Sequence, residues 1–212
     1  MFGKPSRSPQ PPEHGDNTAM SLSVIEAIES RRSTRKYTDE LPSAELIDRV
    51  VSLALEAPSA FNAQQREIVV VTDQDVKQAL FDASHQRQFL EAPVVFVTVA
   101  RVENDPSDLE EILGSERAAR VEGFLHGRDL QAAREASLKD ASLAAAFLLL
   151  AAQSEGLGTS PTTGWDEEKV KEAIGIGGRA DRAIALVIAA GFPAEHPQHP
   201  GRLDNRRIDN RY

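Results

Sequence analysis

The chain contains no cysteine, which excludes a disulfide framework, a thiolate nucleophile and cysteine-ligated zinc. Positive charge is also scarce relative to negative. A net charge of -9 and a pI of about 5.1 argue against general affinity for nucleic acid or anionic membrane, since both need a broad basic surface to displace counterions. The N terminus lacks a charged-then-apolar leader, and the sequence has neither a GxSxG elbow nor a Walker loop. The expectation is a cytoplasmic protein that is neither a serine hydrolase nor a P-loop NTPase. The stretch from Leu143 to Ala152 is apolar almost all round, but it has only half of the roughly 20 residues needed to span a bilayer and so reads as a core helix. What is present is 212 residues with 41% hydrophobic content, ample for a buried core.

Residues 1–20 are rich in Pro, Ser, Gly and charge without apolar periodicity, and read as a disordered tail. Residues 21–212 read as one domain. Ser23 and Glu26 form a capping-box pattern for a helix ending near Ser30, with Val24, Ile25 and Ile28 as its apolar face. Ser43 is the expected N-cap of a second helix, on which Leu46, Ile47, Val50, Leu53, Ala54 and Ala57 recur at helical spacing. Ile68–Thr72, Pro93–Ala100 and Ala183–Gly191 read as buried strands, and a helix is expected from Asp75. Between the second and third strands, Val102 to Ala136 is more polar and is punctuated by Pro106, Gly114, Gly123 and Gly127, as an excursion over a site would be. This interleaving suggests an α/β domain. Gly175–Ala180 follows a helix rather than a strand and reads as a turn, and His196 and His199 as a surface loop, so no metal is expected.

Three stretches carry candidate chemistry. RRSTRKY, Arg31 to Tyr37, concentrates positive charge in an acidic chain. In an extended segment Arg31, Ser33 and Arg35 share a side, and two guanidiniums around a hydroxyl suit a phosphate; a solvated, salt-bridged surface run accounts for the same residues. In APSAFNAQQ, Ala57 to Gln65, short amides and hydroxyls between a helix and a strand suit the edge of a planar heterocycle, or ordinary turn chemistry. In GLGTSPTTGWD, Gly156 to Asp166, Gly164 admits close approach of a backbone amide to a ligand, or the stretch is a helix cap at Gly156 followed by a tight loop.

In order and spacing, Arg31–Arg35, Ala57–Gln64, Ala92–Val97 and Leu157–Gly164 make the chain resemble the FMN-dependent nitroreductase family over about residues 21–204. The resemblance implies an α+β fold, an α/β/α sandwich with a central, mostly antiparallel sheet, in an intertwined homodimer with two FMN sites at the subunit interface. It places Arg31 and Ser33 at the FMN phosphate and ribityl chain, Arg32 beside them through side chain or backbone, and Arg35 near the pyrimidine edge, where a fixed cation favours flavin reduction. Pro58, Ser59, Ala60 and Asn62 come from the partner subunit, with Gln64 close behind. Thr163 and Gly164 lie against the flavin's reactive centre, Gln86 touches its edge, and Arg202 reaches the phosphate unless it is a solvated tail arginine. Phe124 and His126 are lid candidates that select substrates, or else packing and surface residues.

The implied activity is an NAD(P)H oxidoreductase. NADPH or NADH delivers a hydride to flavin N5 and leaves before a nitroaromatic, quinone or other electron-poor acceptor enters, so no protein side chain is catalytic in itself. The alternatives are reductive dehalogenation, reduction of one dedicated metabolite, or a flavin-binding protein without turnover. Two departures matter: Phe61 and Gln65–Arg66 replace the family's small residue and Pro-Trp pair on the substrate side, and Pro200 stands where a lysine is often paired with the C-terminal arginine. The arginines of RLDNRRIDNRY are candidates for dimer contacts instead.

Overall fold

The computed structural model describes residues 21–211; the expected tail at 1–20 lies outside them. Helix α1 (Val24–Ser30) starts as its sequence requires: Ser23 Oγ accepts from Glu26 N–H at 3.3 Å and the Glu26 carboxylate accepts from Ser23 N–H at 2.8 Å. Ser43 Oγ likewise caps α2 (Ala44–Leu55), accepting from Leu46 N–H at 3.2 Å. There follow β1 (Arg66–Val71), α3 (Gln74–Ser84), α4 (Gln88–Glu91), β2 (Val94–Arg101), α5 (Leu109–Leu113), α6 (Ser115–Leu125), α7 (Leu130–Ser154), β3 (Gly158–Thr162), α8 (Glu167–Ala173) and β4 (Arg182–Gly191).

The four strands form one sheet in the order β1-β2-β4-β3, and every pairing is antiparallel. The domain is therefore α+β, and the α/β arrangement suggested by interleaving alone is not formed: β1 and β2 are antiparallel neighbours although α3 and α4 separate them in sequence. Alternation along the central strands sorts the core into two layers. Val94 and Phe96 of β2, with Ile188 and Ala190 of β4, pack against Val50 and Ala54 of α2 and Ala145, Leu148 and Ala152 of α7. Val95, Val97 and Val99, with Val187 and Ala189, face Leu80 and Ala83 of α3, Phe89 of α4 and Val170 of α8. Both faces of β2 are thus covered, which explains an apolar run broken only by Thr98, whose hydroxyl pairs with the Leu186 backbone, and each buried apolar side chain there contributes about 1.5–3 kcal/mol.

Three expectations change. The Ile68–Thr72 segment is not a buried strand: β1 begins two residues earlier, ends at Val71, and lies at a sheet edge with Val70 40% exposed. Gly156–Asp166 is not only loop but supplies β3, the opposite edge. There Pro161 is tolerated because an edge strand does not need every N–H. Helix α7 starts at Leu130, inside the segment marked as a polar excursion, and α5 and α6 fill the rest. Their Leu109, Ala118, Val121 and Leu125 form a small core with Ala63, which docks the excursion onto the loop after α2.

Candidate functional site

Residues 31–37 run from β3, which Ser33 and Thr34 meet, to the chain after β4, where Tyr37 bridges Pro193 and Lys36 O accepts from Ala194 N–H. Thr34 N–H donates to Thr159 O at 2.9 Å, and Ser33 bridges Thr159 in parallel register. Two features press the segment down. Gly158 lets Thr34 approach so closely that a Cβ at 158 would lie 2.9 Å from Thr34 Cβ. The Tyr37 hydroxyl sits 2.5 Å from Thr34 O and 3.2 Å from Ala189 O, and burial, with Glu195 adding to it, pushes the phenol well above its ordinary range. The Arg35 N–H donates to Glu195 Oε1 at 2.7 Å, while among the described residues its exposed guanidinium reaches only Ser33 O, at 3.4 Å.

Alternation then divides the arginines. Arg32 and Thr34 line a cavity of about 380 Å³ with Leu157, Gly158, Glu195 and His196, and Arg32 Nη1 donates to Glu29 O at 2.8 Å and Arg31 O at 2.7 Å, closing the end of α1. Arg31 does not line that cavity. Among the described residues its Nη1 is buried without a hydrogen-bond partner, and burial, then the neighbouring charges of Arg202 and Arg32, hold its guanidinium below the ordinary arginine range. Thr159 Oγ1, beside Ser33, is also buried and unpartnered. A buried cation crowded by cations is unfavourable unless an anion joins it. The chemistry of this donor set fits a phosphate, and Arg202 lies near enough for its charge to act on Arg31.

At the other end of β3, Gln88 Nε2 donates to Gln86 Oε1 at 3.0 Å and lies 3.4 Å from Thr162 Oγ1. Asp166 N–H donates to Ala83 O at 2.9 Å. These bonds bring Gln86 to the turn holding Thr163 and Gly164, both exposed. Thr159 and Thr163 are four residues apart, so the cationic end and this turn are separated by about 13 Å along one strand.

The loop Pro58–Gln64 is elsewhere. It leads into β1, three strands across the sheet from β3, roughly 14 Å away at the ordinary strand spacing. Phe61, Asn62 and Gln64 all have left-handed φ, at 57°, 60° and 51°, a geometry that costs roughly 1–3 kcal/mol per residue and persists only where the surroundings impose it. Ser59 Oγ accepts from Gln64 N–H at 3.0 Å, and Arg117 Nη2 donates to Phe61 O at 3.3 Å. Phe61 stacks on Phe124 with ring centroids 5.5 Å apart and an interplanar angle of 9°. His126 turns instead to Asp105, Nδ1 to Oδ1 2.9 Å, and that contact raises its pKa, so the two lid candidates make separate contacts.

A model of the nitroreductase family matches residues 28–192. The chain belongs to the nitroreductase family. A Thermus thermophilus protein named NADH dehydrogenase is 35% identical over 196 residues, covering 88% of this chain and 95% of that one. A Bacillus subtilis FMN reductase (NADPH) is 29% identical over 190 residues, or 87% and 72% of the two chains. A protein of Exiguobacterium sibiricum crystallised in complex with FMN has the same fold, with a TM-score of 0.76 at 21% identity over 88% of this chain and 96% of that one. Sequence reasoning did not single out Thr159, which sits in an edge strand without an apolar run, or Gln88, a glutamine in a short helix before β2 with nothing in the sequence to mark its contact with Thr162. It also passed over Asp140, whose Oδ1 accepts from Ala60 N–H at 3.2 Å from inside α7, where a lone acidic residue gives no sign of being buried.

Proposed function

We propose that the protein carries electrons from NADPH or NADH to an electron-poor organic acceptor, with FMN held between two subunits. The chain is an NAD(P)H-dependent flavin oxidoreductase and FMN is its cofactor. When bound, FMN would supply the two-electron chemistry between the nicotinamide donor and nitroaromatics, quinones or related acceptors. The protein's part is to bind, orient and screen. Arg31, Ser33 and Arg202 hold the phosphate, Arg35 sets a positive charge toward the pyrimidine edge, and Thr163 and Gly164 offer backbone to the reactive centre. Arg32 serves this surface through its backbone, its side chain being committed to α1.

The observation that carries the reading is the buried, unpartnered Nη1 of Arg31 beside Arg202. A second one concerns assembly. The Pro58–Gln64 loop and the Arg31 segment occupy opposite edges of the same sheet, so a site using both takes one from each subunit of a homodimer. Apolar side chains support that arrangement: Ile25, meant by its periodicity for an apolar face, is 69% exposed, and Leu143 and Phe147 of α7 are exposed too. Among the described residues no helix is long and apolar enough to cross a membrane. The test is an anaerobic absorbance spectrum before and after NADPH and then NADH. A flavin band that bleaches with either donor, on a protein that sediments as a dimer, is the expected result. A colourless protein that cannot be reconstituted with FMN refutes the reading, and flavin that neither donor bleaches leaves a binding protein without turnover.

A further inference from the structure

The strained loop at Pro58–Gln64 is held from beneath by two charged residues that the reaction does not use. Asp140, in the middle of α7, is only 6% exposed, and its Oδ1 accepts from Ala60 N–H at 3.2 Å. Arg66, at the start of β1, is also 6% exposed and donates through Nη2 to Leu55 O at 2.7 Å and Ala57 O at 2.5 Å, the last carbonyls before the loop. Its Nε and Nη1 have no hydrogen-bond partner. Asp140 lies close enough for its charge to favour the buried guanidinium, and Arg66 and Arg128 in turn favour the carboxylate that burial disfavours. The two residues thus grip the backbone on both sides of Pro58, one through carbonyls and the other through an amide. Neither belongs to the excursion that packs on the loop from above.

We propose that Asp140 is a positioning residue for flavin binding: by accepting the Ala60 N–H it fixes the left-handed loop in the geometry offered to the partner subunit, and Arg66 clamps the chain entering it. The inference rests on the reading that Pro58–Gln64 contacts FMN. It links two roles of α7, since Asp140 lies one turn before Leu143, whose exposed side chain is among those suited to the subunit interface. The helix at the interface therefore also sets the loop.

The test compares Asp140→Asn with Asp140→Leu. Both remove the charge, but only Asn keeps a side-chain carbonyl able to accept from Ala60 N–H. Purified full-length protein is stripped of FMN and titrated with it, following quenching of flavin fluorescence. Amide hydrogen exchange over Ala60–Gln64 is measured in the reconstituted holoprotein. Loss of one hydrogen bond to a charged group predicts FMN binding about tenfold weaker and faster loop exchange in Asp140→Leu, with Asp140→Asn staying near the parent on both measures. Equal weakening in the two variants overturns the proposal, because burial of charge and not the bond to Ala60 then matters. An Asp140→Leu protein with unchanged affinity and exchange overturns it as well. Should Asp140→Leu fail to fold, Arg66→Met carries the same expectation of faster loop exchange and weaker FMN binding, and unchanged values again overturn it. Asn62→Ala separates this inference from the reading beneath it: if Asn62→Ala weakens FMN binding and Asp140→Leu does not, only the positioning role fails, whereas if neither does, the loop is not at the flavin and both fail.

Discussion

Replacing Arg31 by methionine should weaken FMN binding without weakening the fold. A surface salt bridge would give the opposite result, because its loss lowers stability and leaves flavin unaffected. The Arg31 Nη1 is buried without a partner among the described residues, and its charge is opposed by Arg202 and Arg32; in the apoprotein this guanidinium is a partly buried cation among cations. Methionine retains much of the aliphatic volume and removes the repulsion, so the melting temperature of the apoprotein should hold or rise. With FMN, the variant loses one hydrogen bond from a charged donor to phosphate, about 1.5–3 kcal/mol, which corresponds to a dissociation constant roughly 10- to 150-fold higher. Calorimetric titration of apoprotein with FMN gives that number, and the same titration with riboflavin isolates its cause. Riboflavin lacks the phosphate, so parent and variant should bind it equally. Added salt should narrow the FMN difference only partly, because buried charges are screened less than exposed ones. Equal weakening toward FMN and riboflavin, or no weakening toward either, would refute the assignment of Arg31 to the phosphate.

Gly158→Ala places a Cβ 2.9 Å from Thr34 Cβ and should cost about 1–3 kcal/mol in thermal unfolding, with weaker FMN binding as residues 31–34 are pushed off β3; an unchanged melting temperature would show that the segment is not seated there. Phe61→Ala removes a stacked pair worth about 0.5–1.5 kcal/mol. Steady-state kinetics should then show altered kcat/KM across acceptors of different size, and identical acceptor profiles would remove Phe61 and Phe124 from substrate selection. Asp181, beside Arg179 and Arg182, is held down to about 2. A depressed carboxylate contributes stability above its unfolded value near 3.8 that is lost as pH falls through the folded value. Its side chain is 40% exposed, so the contribution is below about 1 kcal/mol. Acid unfolding of Asp181→Asn should accordingly be slightly flatter between about pH 4 and 2, and a steeper curve would contradict the sign.

The sequence carried the parts of this fold whose physics is local. Ser23, Ser43 and the apolar runs of β2 and β4 act through capping and burial on both faces, and both leave a signature within a few residues. Strand β3 did not announce itself, because Gly158 and Pro161 are poor strand formers made acceptable by an edge position that exists only once β4 is in place. Gly158 is there for the Thr34 contact, more than a hundred residues away in sequence. Likewise the motif RRSTRKY could be recognised as a unit, yet its division into Arg31 beside Arg202 and Arg32 against the end of α1 follows from which face of the extended segment meets β3.

The same reasoning bears on why the proposed site would be split between two subunits. An edge strand is where a sheet has unpaired backbone to offer, and this sheet uses both edges: β3 receives the Arg31 segment, and β1 is entered through the strained Pro58–Gln64 loop. With β2 and β4 covered on both faces by α2, α7, α3 and α8, no ligand reaches the centre of the sheet, so the edges are where a planar cofactor can meet backbone amides. One chain cannot bring its two edges together across roughly 14 Å of buried sheet. A second chain, packed against the exposed apolar side chains of α1 and α7, can present the opposite edge. On this view the dimer is a condition of binding, and dilution that separates the subunits should release FMN in the same transition.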